Sequence, residues 1–260
     1  MRIQNQIGFL VLIAVAATGV NADKYLAEKP DFLTPCKQTD PGFNRCFAKN
    51  FQSSFTNWND GLPGLKSLGS FDPLHVKSVT IAEDGSGPVS INIGLTNLVL
   101  TGLKHTTVDD ASFNPTKLIT KVKFTVPKVQ IDADYKVKGR VLTLPLDGNG
   151  KAKIVIEKLK MEVAVRLNLR KEDGALFTDV EKTRLEIHEV GGFQLRLDNL
   201  FNGQKVLEET ATSLFNDNWR DLYEVMKPSI SATVQTVMND RFSKIFHYVP
   251  VTYYISDIEE

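Results

Sequence analysis

From Val89 to Leu197 apolar side chains recur on every second position in unusually long runs, and this alternation restricts the fold more than any other feature. Val89, Ile91, Ile93 and Leu95 alternate with Ser90, Asn92 and Gly94; Leu118, Thr120, Val122, Phe124 and Val126 follow the same rule. Val129, Ile131, Ala133, Tyr135 and Val137 oppose Lys128, Gln130, Asp132, Asp134, Lys136 and Lys138. The pattern returns at Leu159, Met161, Val163, Val165, Leu167 and Leu169, at Leu185 and Ile187, and at Phe193, Leu195 and Leu197. Period two with one oily and one charged face predicts antiparallel strands that keep one face wet. Asp84-Gly85, Asp147-Gly148-Asn149-Gly150 and Asp173-Gly174 are read as the hairpin turns between them.

The rest of the chain has a helical period. Phe47, Phe51, Ser54, Phe55 and Trp58 mark a short helix that Gly61-Leu62-Pro63-Gly64 ends. Beyond Asn202-Gly203 one long helix is predicted from Val206 to Lys244, with Pro228 the expected bend. Roughly 39 residues at 1.5 Å each make a rod of about 58 Å, whereas a compact sphere of this mass is only about 45 Å across. The apolar stripe is also wide and drifts around the helix, as expected of a helix held in the concave face of a bent sheet. No linker or second composition regime interrupts the chain, so one domain is expected over residues 23–260.

Residues 1–22 read as a signal peptide rather than fold. Arg2 precedes an apolar run from Ile7 to Ala17, too short to span a bilayer, and Val20-Asn21-Ala22 offers a cleavage site. The two cysteines, Cys36 and Cys46, suit one local disulfide in an oxidising compartment. Lys+Arg and Asp+Glu both total 31, which argues against nucleic acid as a partner. The expected location is extracellular.

Four stretches resemble the takeout and juvenile-hormone-binding proteins of insects. They are Cys36 to Cys46 with the helix after it; Gly61-Leu62-Pro63-Gly64-Leu65 with Phe71-Asp72-Pro73-Leu74; Phe124-Thr125-Val126-Pro127 with Tyr135 to Leu146, Gly148 and Gly150; and Leu200-Phe201-Asn202-Gly203 through Phe215-Asn216-Asp217-Asn218-Trp219 to Lys227-Pro228. The resemblance implies an α+β fold in which a strongly curved antiparallel sheet wraps a long C-terminal helix, a lipid-binding roll similar to bactericidal/permeability-type domains. It implies a secreted, haemolymph-like carrier of a hydrophobic ligand in an internal tunnel, linked in some members to circadian output, feeding or behaviour. The juvenile-hormone-binding branch carries a second disulfide for which this sequence has no cysteines, so the resemblance is to the takeout branch.

A wide apolar helix inside an oily sheet either packs solid or leaves room for a lipid. Candidate wall residues are Leu207, Ala211, Leu214, Leu222, Met226 and Val237 on the helix, with Phe124, Tyr135, Val163 and Val165 on the strands. Enzymatic chemistry has little support. No Gly-x-Ser-x-Gly elbow occurs, and His75, His105, His188 and His247 form no ligand or triad spacing. Asp109-Asp110 reads as a loop. No cofactor, metal or catalytic residue is expected, and the protein is expected to be a monomer. Lys121, Lys123, Lys128, Lys136, Lys138 and Arg140 offer a patch for a receptor or anionic membrane, yet Asp132 and Asp134 interleave with it. The leading reading is a carrier of a terpenoid, fatty acid or related lipid signal. The alternatives are a ligand-free interaction protein acting through its surface and, less favoured, a lipid esterase.

Overall fold

β-branched and aromatic residues on alternate positions build three strands of exceptional length, because such side chains pack well on a pleated surface with one face wet. The computed structural model describes residues 24–83, 89–141 and 143–259; the signal-peptide reading of residues 1–22 and the turn expected at Asp84-Gly85 lie outside them. Helix α1 (Phe43–Asn57) precedes β1 (Leu74–Glu83), β2 (Val89–Thr101), β3 (Thr107–Asn114), β4 (Ile119–Val141), β5 (Leu144–Glu172) and β6 (Ala175–Leu197), and α2 (Lys205–Asp217) and α3 (Trp219–Tyr248) follow. The six strands form one antiparallel sheet in the order β1-β2-β4-β5-β6, with β3 beside β4. This is a large curled sheet with a C-terminal helix, as expected of the α+β fold.

The two alternation patterns read around Phe124 and Tyr135 belong to one strand. In β4 the even positions from Thr120 to Val126 are buried and then the odd positions from Val129 to Val141, so the parity flips at Pro127. Opposite it, Lys158 of β5 has φ 51, and beyond it β6 carries Gly191-Gly192. On the other side of β4 the turn at residues 102–106 separates β2 from β3 at the same level. A crease thus runs from the β2–β3 break across Pro127 of β4 and Lys158 of β5 to the glycines of β6, irregularities of the kind that bend long strands. It divides the buried face into two apolar clusters. Val122, Phe124, Val163, Val165 and Leu167 lie in one; Ile91, Ala133, Tyr135, Val137 and Leu146 lie in the other.

Two local expectations are corrected. Asp147-Gly148-Asn149-Gly150 is not a turn but lies inside β5, paired with Lys138 to Tyr135. β4 ends at Val141 and β5 begins at Leu144, with those two residues paired, so the hairpin closes there instead. The glycines serve a different purpose: residues 198–200 cross the strand there, and a Cβ on Gly150 would stand 2.1 Å from the Asp198 carbonyl oxygen. Asp198 N–H donates to Lys151 O at 2.9 Å, and Asn199 Nδ2 donates to Asn149 O at 2.9 Å. Asp173-Gly174 does form the β5–β6 turn, with φ 50 and 81. Asp109-Asp110, expected in a loop, lies in β3 at a register shift.

The predicted single helix is two. The break falls at Asn218 (φ −111°, ψ 19°), while Pro228 sits inside α3. Asn218 Nδ2 donates to Leu214 O at 2.8 Å, so its side chain competes with the helical ladder, as short amides do. Trp219 then turns onto Phe193 of β6, ring centroids 6.1 Å apart.

The far end of the roll is closed by residues 26–68 and 245–256. The Cys36–Cys46 disulfide forms, Cys36 N–H donates to Tyr254 O at 2.9 Å, and Ser256 N–H donates back to Cys36 O at 2.9 Å. Leu26, Leu33, Trp58, Leu62, Leu68, Tyr248 and Val249 make a third apolar cluster over this end.

Candidate functional site

Helix α3 does not lie on the middle of the sheet but bridges its two edges. Towards β1, Ser229 Oγ donates to Glu83 Oε2 at 2.9 Å, Thr233 Oγ1 to Thr80 O at 3.4 Å, and Arg241 Nη2 to His75 O at 2.9 Å. Towards β6, Gln235 Oε1 accepts from Leu185 N–H at 3.1 Å and Asn239 Oδ1 accepts from Thr183 Oγ1 at 2.8 Å. At the end of α3, His247 Nδ1 stands 2.8 Å from Asp179 Oδ1. In α2, Asn216 both accepts from Leu195 N–H (2.8 Å) and donates to Leu195 O (3.0 Å). Exposed edge strands are a liability because their backbone groups lack partners. Here helical side chains meet both edges, which closes the curled sheet into a roll with an apolar interior.

The interior is where the predicted wall residues gather. Phe124, Val163 and Val165 are buried in one cluster, with Val234, Met238 and Phe242 of α3 packed against it. Tyr135 and Ala211 are buried in the other, against Leu222 and Met226. The crease separates the two groups, so they line successive lengths of one roll rather than one pocket. Leu214 and Val237 are half-buried and belong to none of the clusters. Leu207 is 44 % exposed on the flank of α2, and the buried position beside it is taken by Glu208. Although α3 has 30 residues, only Tyr248 at its end is fully buried; its inward apolar side chains stay half-open.

Few polar atoms reach this interior. Tyr135 Oη donates to Asp198 O at 3.1 Å. Burial pushes its phenol up to about 12, helped by the nearby carboxylates of Glu208 and Asp198. Tyr223 Oη on α3 is buried without a hydrogen-bond partner, and burial raises its pKa, with Glu224 adding to the shift. Glu208 Oε2 on α2 is likewise buried without a hydrogen-bond partner among the described residues. At the closed end, Tyr254 meets Ser54 Oγ at 2.6 Å, and burial pushes its phenol well above the usual range.

Among the described residues no group of three His, Cys, Asp or Glu is placed to hold a metal ion, and no helix is long and apolar enough to cross a membrane. The four histidines stay apart, on β1, after β2, on β6 and at the end of α3. On the outer face the basic patch is threaded with acids. Lys121 lies 3.5 Å from Glu162, Lys128 lies 3.3 Å from Glu157, and Lys151 pairs with Asp134.

Gln235, Asn239 and Glu208 were not singled out by sequence reasoning, and Asn216 was named only within the stretch Phe215-Asn216-Asp217-Asn218-Trp219, with no role. Their only signal was a polar residue inside a wide apolar helical stripe, which solvent-facing positions mimic.

The comparisons agree with this architecture. The chain is similar to the circadian clock-controlled protein daywake of Drosophila yakuba, 23% identical over 225 residues, covering 84% of this chain and 83% of that protein. The Drosophila melanogaster daywake is 23% identical over 209 residues, 78% of each chain. Takeout 1 of Epiphyas postvittana superposes with a TM-score of 0.73 at 24% identity, covering 85% of this chain and 98% of its own. The model of the haemolymph juvenile hormone binding protein family matches residues 9–256. A curled sheet closed along both edges by a C-terminal helix, together with that match, makes this chain a member of the haemolymph juvenile hormone binding protein family, whose members bind hydrophobic ligands.

Proposed function

We propose that this protein is a secreted carrier that holds a small hydrophobic ligand, such as a terpenoid, fatty acid or related lipid signal, between the sheet and α3. The observation that carries the reading is the way α3 is held. Its polar side chains are bonded to the two sheet edges, while Leu222, Met226, Val234, Met238 and Phe242 point at the apolar clusters without being fully buried. A helix suspended by its flanks leaves apolar surface for a lipid to cover, at roughly 25 cal/mol per Å² removed from water. No catalytic step is assigned. A link to circadian output, feeding or behaviour is part of the proposal, supported by the names of the relatives and by the family resemblance.

Native mass spectrometry of the protein secreted from insect cells, before and after organic extraction, tests this. A stoichiometric lipid is expected, and Leu222→Trp or Met226→Trp, which fill the inner end of the roll, should abolish its retention. A protein that leaves the cell empty and takes up neither fatty acids nor terpenoids on titration would overturn the carrier reading in favour of a surface-acting interaction protein.

A further inference from the structure

We propose that Glu208 is the polar anchor of the roll's inner end, and that the ligand it selects carries a hydroxyl or similar hydrogen-bond donor rather than a carboxylate; this rests on the carrier reading above. Glu208, Ala211 and Phe215 are the buried residues of α2, spaced so that they share one helical face. Ala211 and Phe215 belong to the apolar cluster of Tyr135, Val137 and Leu146, so Glu208 sits on the face of α2 turned to that cluster. Its side chain is nine-tenths buried, at 9 % exposure. A charge taken out of water is costly unless its lone pairs are met. Only one oxygen is met: Lys205 Nζ, on a 70 % exposed side chain, lies 3.0 Å from Oε1. Oε2 has no partner among the described residues and is sealed from water.

An ionised carboxylate accepts hydrogen bonds and donates none. A ligand hydroxyl brought to Oε2 makes a charge-assisted bond and satisfies the orphaned oxygen. An ester offers no donor. A free acid sets a second carboxylate beside the first, which low surrounding polarity makes strongly unfavourable unless it takes up a proton. The order of affinity for one hydrocarbon chain is therefore alcohol, then methyl ester, then acid. The field of Glu208 already reaches the cluster interior, where it helps to raise the Tyr135 phenol.

Hexadecanol, hexadecanoic acid and its methyl ester, each displacing a fluorescent apolar probe from the full secreted chain at neutral pH, test the assignment. The alcohol is expected to bind at least about tenfold tighter than the acid, a difference of ~1.4 kcal/mol. Glu208→Gln should collapse that ratio while the probe still binds. Lys205→Met, which strips the carboxylate of its counter-charge at an exposed position, should widen it. Equal or tighter binding of the acid to the wild-type protein overturns the anchor, as does a ratio that Glu208→Gln leaves unchanged in a folded variant. If that variant fails to fold, the wild-type ratio and the Lys205→Met shift decide. A wild-type chain that binds neither probe nor lipid overturns the carrier reading itself, and the anchor with it.

Discussion

Tyr135 and Gly150 face one another across β4 and β5, and both are fixed by the same crossing of residues 198–200. Tyr135 Oη donates a hydrogen bond to the Asp198 carbonyl, and Gly150 lets that carbonyl come closer than any side chain would allow. Gly150→Ala should therefore cost about 1–3 kcal/mol, because a Cβ would press on backbone rather than on a movable side chain; urea denaturation reads this directly. The phenol makes a second prediction. Its pKa rises from 10.0 to about 12 on folding, so the folded state favours the neutral form. The resulting stability is complete below pH 10 and is lost as pH climbs towards about 12. Phenolate absorbance should show several late-titrating tyrosines, Tyr223 and Tyr254 among them, and Tyr135→Phe should remove the one that titrates near pH 12, with the variant's stability falling less steeply over that interval.

At the scale of elements, the edges of the sheet and the helices that cover them depend on each other. Asn216 satisfies both backbone groups of Leu195, which β6 as an edge strand leaves without a strand partner on that side. Asn216→Ala should cost about 1–3 kcal/mol and raise hydrogen exchange at the Leu195 amide, since a half-buried donor is then left unmet. Gln235 repeats the device for Leu185, so protection there should be unaffected by the change at Asn216. The break at Asn218 follows from the same logic. Asn216 must face Leu195 while Leu222 and Met226 face the clusters, and the amide of Asn218 capping Leu214 lets the chain change direction between them.

Over the whole molecule, the Cys36–Cys46 loop and the segment around Tyr254 and Ser256 close one end of the roll together. The bridge spans a separation of 10 residues, and replacing Cys36 and Cys46 together by Ser should cost about 2–4 kcal/mol in the chain-entropy account. Because Cys36 also bonds Tyr254 and Ser256, exchange at the Ser256 amide should rise well before the sheet opens, which hydrogen exchange with mass detection resolves. The alternation around Phe124, Tyr135 and Val163 announced an antiparallel sheet with one buried face, and the stretch after Asn202 announced helix but not its break at Asn218, because both periods are local properties of backbone geometry and the break is not. Cys36 and Cys46, the only two cysteines, announced their own pairing. The joining of two alternation runs into β4 was not legible, since a parity flip at Pro127 reads as a strand end until Lys158 and Gly191 are seen beside it. Nor was the role of Gly148 and Gly150, which look like a turn until the distant Asp198 lies on them. Glu208 was invisible for the same reason: one polar residue on an apolar stripe gains meaning only from what it faces. The sequence by itself determined the local periods, the disulfide and the family's fold. The tertiary structure alone decided the crease, the helix bonded to both edges and the buried carboxylate, because each depends on contacts between residues far apart in the chain.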